Sequence, residues 1–331
     1  MIPTESKHGF FVISLDFELF WGIRDKFTFE QYGSNVLGVW GIFPKLLETF
    51  RKYDIHATFA TVGAMFSKDV DELKEFIPGE LPSYTNQNLS PYHGFVDDSP
   101  NHDPKYYFGA KLIKQLRKEK IHEIGTHTFS HYYCLEDGQN QEEFESDLRA
   151  AIRIAEKYGI EINTFIFPRH QLRKDYINTF PKYKIQTYRG TEKAWYHSPA
   201  RDGEESRWKR AVRYANYYFW LGTHHCFDIQ EIEKGGTPYN IPASMWLRPY
   251  RKKWKALDGL RLYRIKSAMT YAAKNNKIYH LWWHPHEMGI DQVENFHFLE
   301  QILQHYEKLS RRYNFKSKSM IEIAKYIETG R

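Results

Sequence analysis

The chain has 331 residues, enough to bury a barrel-sized core, and its formal charge of +6 makes it mildly basic. No apolar run approaches 18 residues, and Glu5, Lys7, Asp16 and Glu18 interrupt the first twenty. That argues against a transmembrane helix or secretory signal and for a soluble, unprocessed protein, and the two cysteines, too few for a disulfide framework, make the cytoplasm the expected compartment.

Residues 9–16 read as a strand, apolar almost throughout, as expected of a strand covered on both faces. Alternation along it points Asp16 and Glu18 one way and Phe17 the other. A helix is expected from about Ser34 through residue 50, then a second buried strand over 56–63. Residues 69–105 are rich in Pro, Gly, Asn, Ser and Asp without a sustained period, and are expected to form a long insertion that acts as a lid or contacts substrate. Helical character returns at 107–118, and a third strand over 122–126 delivers His127 and His131. If a helix starts at Thr128, the two imidazoles share one face and reach a single divalent cation. His280 and His284 repeat the spacing, and with 16 histidines roughly one such pair is expected by chance, so the spacing alone is a weak motif.

An amphipathic helix follows at 141–158, stopped by Gly159, then a short strand at 164–167 ending in Pro168 and Arg169. A segment at 184–188 closes at Gly190, and strand-like pieces lie at 217–222 and 244–247. The densest basic run, Arg251 to Lys255 around Trp254, suits an acidic sugar polymer or an anionic membrane surface; no nucleic-acid partner is expected. A helix at 261–274 leads into a strand from 278 that ends near His284 and Pro285, and closing helices are expected at 295–313 and 319–329. The aromatic content of 17% serves the core first, but rings lining a cleft would suit stacking on sugar faces.

Apolar strands alternating with helices predict a parallel sheet or barrel with helices outside, as one domain spanning residues 1–331. No glycine-rich phosphate loop follows the first strand, which argues against a nucleotide-binding doubly wound sheet. Asp16, Glu18, His127, Arg169 and His284 all fall at or just after strand C-terminal ends, where barrels carry their active sites. A hydrolytic metal centre needs two or three protein ligands, a base and an acid. His127 and His131 supply nitrogen ligands, one of the two carboxylates the third ligand and the other the base. Arg169 would orient the base, and His284 or His286 would protonate a leaving amine. His280, His284 and His286 share one strand face, so one or two of them are expected as core imidazoles, leaving His284 best placed. Cys134 is read as a small buried residue, with a soft metal ligand as the alternative.

In motif order, these residues resemble the polysaccharide deacetylases of carbohydrate esterase family 4, with the NodB homology domain. Leu15-Asp16-Phe17-Glu18 is similar to a variant of the family's first motif, His127-Thr128-Phe129-Ser130-His131 to its metal-binding motif, Phe167-Pro168-Arg169 to its arginine motif and Trp283-His284-Pro285-His286 to its last. The resemblance implies a distorted (β/α)7 barrel, a divalent metal such as zinc, and removal of an N-acetyl group from an amino sugar of a polymer or its precursor. It implies Asp16 as base, Glu18, His127 and His131 as ligands, Arg169 beside the base and His284 as acid. The usual first motif has adjacent aspartates; here Phe17 takes the second place. Trp195, Asp228 and Trp246 are the candidates for the tryptophan-rich fourth motif. Two rivals remain: a metal-independent glycoside hydrolase using Asp16 and Glu18, and a non-catalytic sugar-binding protein on the same barrel.

Overall fold

Strand β1 (Phe10–Phe17) is buried along its whole length, and its alternation sorts the molecule into two layers. Phe11, Ile13, Leu15 and Phe17 enter the main apolar cluster under the helices. Phe10 and Val12 face a second cluster with Ala60, Ile166, Ile241 and Ile278, while Ser14 and Asp16 continue that inner face as polar groups. The inner face of β1 thus runs from apolar to polar toward its C-terminal end.

The computed structural model describes residues 8–198, 201, 206–219 and 224–330. After β1 come α1 (Phe29–Lys52), β2 (Ala57–Thr61), α2 (Val70–Phe76), α3 (Ala110–Lys118), β3 (Glu123–Thr126), α4 (Gln141–Lys157) and β4 (Thr164–Ile166). Then follow α5 (Lys174–Ile177), β5 (Thr187–Arg189), α6 (Arg207–Asn216), α7 (Ile229–Lys234), β6 (Tyr239–Asn240) and β7 (Met245–Trp246). The chain closes with α8 (Asp258–Lys274), β8 (Ile278–Trp283), α9 (Gln292–Tyr313), β9 (Lys316–Ser317) and α10 (Met320–Thr329). Every named strand pair is parallel, in the order β6-β5-β4-β3-β2-β1-β8-β7, with β9 added at the start of β1.

The short β6 and β7 are two halves of one irregular strand. The Ile241 and Ala243 amides donate to the Tyr188 and Gly190 carbonyls on the β5 side, and Ser244 and Leu247 donate to His280 and Trp282 on the β8 side. Counted as one, they complete the curl of a distorted (β/α)7 barrel. At the opposite end from Asp16, Met320, Ile323 and Ala324 of α10 plug the barrel against Phe10 and Val12. Burial of Met320 and Ile323 contributes roughly 1.5–3 kcal/mol each. Ser319 starts this helix with a capping box to Glu322, as Asn140 does for α4 with Glu143.

The structure departs from the sequence expectations where local patterns are short. α1 starts at Phe29 behind Thr28, several residues before Ser34, because Gly33 and Gly38 sit inside it: they leave space for the Tyr106 side chain and the Gly289 backbone. Region 69–105 is not structureless, since Asp69 caps α2 and Tyr84, Leu89 and Val96 are buried. Of the strand-like piece at 217–222, Tyr217 begins the turn after α6, and 220–223 lie outside the described residues. Among the described residues no helix is long and apolar enough to cross a membrane.

Candidate metal and catalytic site

At the C-terminal end of β1, Asp16 accepts two hydrogen bonds from the Arg189 guanidinium, Nη1 to Oδ1 and Nη2 to Oδ2, both at 2.7 Å. Arg189 ends β5, lies 4.5 Å over the Trp282 ring, and its Nη1 also donates to Ser14 Oγ at 2.9 Å. Ser14 Oγ in turn lies 2.8 Å from His280 Nε2, while His280 Nδ1 faces the Ile241 and Pro242 carbonyls at 3.2 and 3.1 Å. Nδ1 therefore carries the proton and Ser14 donates to Nε2. Burial, reinforced by the Arg189 charge, pushes His280 down to about 3, so it is a neutral core imidazole that fixes Arg189 through Ser14. Burial opposes ionisation of Asp16, but Arg189, with His284, holds its carboxyl well below the usual range.

Glu18 lies one residue beyond β1, where Leu19 turns the chain at φ +46°. Gly22 makes room for it: a Cβ there would fall 2.0 Å from Glu18 Oε1. Its Oε2 lies 3.1 Å from His131 Nε2 and 3.4 Å from His127 Nε2, and its Oε1 lies 3.0 Å from His286 Nε2. Burial is overcome by the charge of His284, which holds Glu18 well below the usual carboxylate range. Phe17 points away from all of this and stacks on Phe43 at 5.0 Å.

His127 and His131 converge as expected, but no helix carries them. Residues 127–133 form an irregular loop with Thr128 and His131 at φ +65° and +59°. Asp147 of α4 pins it, accepting from the Phe129 amide at 2.6 Å and from Ser130 Oγ at 2.5 Å. Thr128 Oγ1 accepts from the Tyr132 amide at 2.7 Å, which helps to offset the cost of a β-branched residue in the left-handed region. Burial pushes His131 down to about 3 despite Glu18, so it offers a neutral ring. His127 donates from Nδ1 to the Ile166 carbonyl at 2.9 Å, which aims its Nε2 lone pair at Glu18.

His127 Nε2 and Glu18 Oε2 are buried acceptors without a hydrogen-bond partner among the described residues. They lie 3.4 Å apart, and a cation drawn between them would satisfy both buried atoms. Glu18, His127 and His131 each offer an atom within 4.8 Å of the others, and this nitrogen and oxygen donor set fits zinc or a similar divalent ion. Glu18 with His284 and His286 forms a second such group around the same carboxylate.

His284 faces the two carboxylates from β8, its Nε2 3.7 Å from Asp16 Oδ2 and 3.8 Å from Glu18 Oε1. Its Nδ1 lies 3.3 Å from Glu287 Oε2, which also accepts from Trp246 Nε1 at 2.9 Å. Burial disfavours its charge, but Glu18, Glu287 and Asp16 push it up to about 10. His286 sits deeper, between Glu18 and the Tyr32 hydroxyl at 3.2 Å.

Arg169 stands elsewhere. At φ +52° it pairs through Nη2 with both oxygens of Asp25 at 2.6 and 2.5 Å and covers the Tyr133 ring at 4.2 Å. The guanidinium on Asp16 is Arg189, which the sequence reading passed over, as it did Glu287. A signal existed: Thr187 and Arg189 share the inner face of a strand that ends at Gly190. Cys134 is buried, and burial holds its thiol well above the usual range. Of the fourth-motif candidates, Trp246 borders the site, Trp195 is exposed, and Asp228 caps α7. A cavity of about 710 Å³ opens over Asp16, Glu18, His131, His284 and His286.

Residues 28–188 match the family model described as polysaccharide deacetylase. The match stops one residue short of Arg189 and leaves out Asp16, Glu18 and His284. No curated protein matches the sequence significantly. Among solved structures the fold is similar to that of a Mycobacterium smegmatis protein assigned as a polysaccharide deacetylase, at 10% identity and TM-score 0.58 over 99% of this chain and 93% of that one. A protein from Pseudomonas aeruginosa PAO1 with the same assignment is 11% identical, with TM-score 0.54 over 96% and 91%. A 4-alpha-glucanotransferase from Thermococcus litoralis is also 11% identical, with TM-score 0.53 over 97% of this chain and 40% of that one. At such identities the likeness is one of fold.

Proposed function

We propose that this chain is a member of the polysaccharide deacetylase family and a metal-dependent hydrolase that removes an N-acetyl or similar acyl group from an amino sugar of a polysaccharide or its precursor. The observation that carries the reading is the convergence of Glu18, His127 and His131, each with a ligand atom within 4.8 Å of the others, beside the Arg189-paired Asp16 and His284.

Glu18, His127 and His131 would hold the ion. When bound, a divalent cation supplies Lewis acidity toward the amide carbonyl and the attacking water. Asp16 takes the proton from that water, and Arg189 keeps it both ionised and oriented. His284 reaches over the same site with a proton to give, and donates it to the departing nitrogen while Glu287 holds its far side. Base and acid carry opposite charges at neutral pH because Arg189 stabilises one and three carboxylates the other.

The rivals fare worse on the same geometry. A glycoside hydrolase needs one carboxyl protonated, whereas Arg189 and His284 hold both Asp16 and Glu18 ionised. Phe17 lies in the core, so its presence removes no group from the site.

The test is acetate release from N-acetylhexosamine oligomers and lipid-linked N-acetyl sugars by zinc-loaded protein. Release is expected to stop on chelation, return with metal, and fall at least about 10³-fold in Asp16→Ala. No release from any of these substrates with metal present would overturn the proposal.

A further inference from the structure

The two oxygens of Glu18 each face their own pair of imidazoles. Oε2 lies 3.4 Å from His127 Nε2 and 3.1 Å from His131 Nε2, whereas Oε1 lies 3.0 Å from His286 Nε2 and 3.8 Å from His284 Nε2. Within each trio the ligand atoms lie within 4.8 Å of one another, and the two trios share Glu18 alone. The carboxylate therefore stands between two places where an oxygen meets two ring nitrogens. The proposed hydrolysis uses only the first as a metal centre.

The second trio also has the outer contacts of a metal centre. His286 Nδ1 lies 3.2 Å from the Tyr32 hydroxyl, and His284 Nδ1 lies 3.3 Å from Glu287 Oε2. Glu287 is itself held in place by Trp246 Nε1 at 2.9 Å. A proton on the outer nitrogen of each ring leaves Nε2 as a lone-pair donor toward Oε1, which is how imidazole ligands are oriented around a cation. The two rings lie side by side, 25° from parallel, with centroids 5.1 Å apart. Glu18, His284 and His286 all line the cavity over the site, which gives an ion a way in. Two imidazoles and a carboxylate suit zinc or a similar divalent ion.

We infer that Glu18, His284 and His286 form a second, weaker zinc site, bridged to the first through the two oxygens of Glu18, and that filling it inhibits the enzyme. With its Nε2 lone pair on an ion, His284 has lost its proton to solvent and has none to give to a leaving nitrogen. The site is the weaker of the two because its ion meets the charge of the first across one shared carboxylate. The inhibition rests on the deacetylase reading, with His284 as acid; the site does not.

The experiment titrates the metal-free full chain with zinc and measures bound zinc by competition with a chromophoric chelator, with acetate release from N-acetylhexosamine oligomers followed in parallel. Two ions per chain are expected, the second held at least about tenfold more weakly than the first. Release should rise as the first ion binds and fall at least about tenfold as the second does. His286→Gln is expected to keep the first ion, lose the second and abolish inhibition by excess zinc. His284→Gln, read by stoichiometry alone, should also bind one ion, and it reports independently if the first variant unfolds. One ion per chain in excess zinc, or a second ion that survives both substitutions, overturns the site. A second ion that raises release or leaves it unchanged overturns the inhibition. Two ions without release at any zinc level leave the site standing and count against the deacetylase. Release with a single ion does the reverse.

Discussion

Asp16 shows how one contact sets a protonation state. Its carboxyl is buried, and only the fork of Arg189 with His284 makes the charged form the stable one. In Arg189→Lys the fork is lost while the charge remains. If Asp16 is the base of the proposed hydrolysis, the acid limb of kcat/KM should then move up by roughly one pH unit, with the alkaline limb unchanged. A profile that drops uniformly without moving would show that Arg189 serves only to hold the barrel together. That Asp16 and Glu18 belong to a site is legible in the sequence, because a carboxylate ending an apolar strand is conspicuous and strand alternation is local. Which arginine reaches Asp16 is not legible. Arg169 follows β4 and Arg189 ends β5, and the choice depends on how far the sheet curls between β1 and β5.

At the scale of elements, the sequence reveals strands and long helices through their periods, and hides the loop that aims the histidines. A spacing of four at residues 127 and 131 reads as a helix, but Asp147, contributed by the next helix, satisfies the loop amides and makes the left-handed turns affordable. The same distance from local pattern conceals how α10 is fastened. His56 Nδ1 lies 2.8 Å from Glu322 Oε2, close to the β9 segment. Glu322 raises His56 above its ordinary 6.5, so that contribution is complete below 6.5 and is lost as pH rises through the folded value. Burial of Glu322 is outweighed by His56, which lowers it below 4.5, so its contribution is complete above 4.5 and is lost as pH falls through the folded value. Between about pH 4.5 and 6.5 the pair should add about 1 kcal/mol. Thermal unfolding of His56→Gln against pH should show the largest deficit in that window and a shrinking one above it; a deficit flat from pH 5 to 9 would refute the assignment.

For the molecule as a whole, parallel β/α order was readable from the chain, and so was the end of the barrel where Asp16, Glu18 and the histidines gather. The way the barrel closes was not. The strand that closes it is split into β6 and β7, and each half leans on a different neighbour. Residues 241–247 therefore form a seam whose amides bond to one side at a time, unlike β1, which is laddered to β2 and β8 along most of its length. Amide hydrogens at 241–247 should exchange well before those of β1 and β2, which would be checked by mass spectrometry of the native protein. Equal protection would mean that the seam is as firm as the rest. Trp246 sits on that seam and also borders the cavity. Breathing there would let the cavity widen while Asp16, on a strand laddered on both sides, and Glu18, one residue beyond it, keep their spacing.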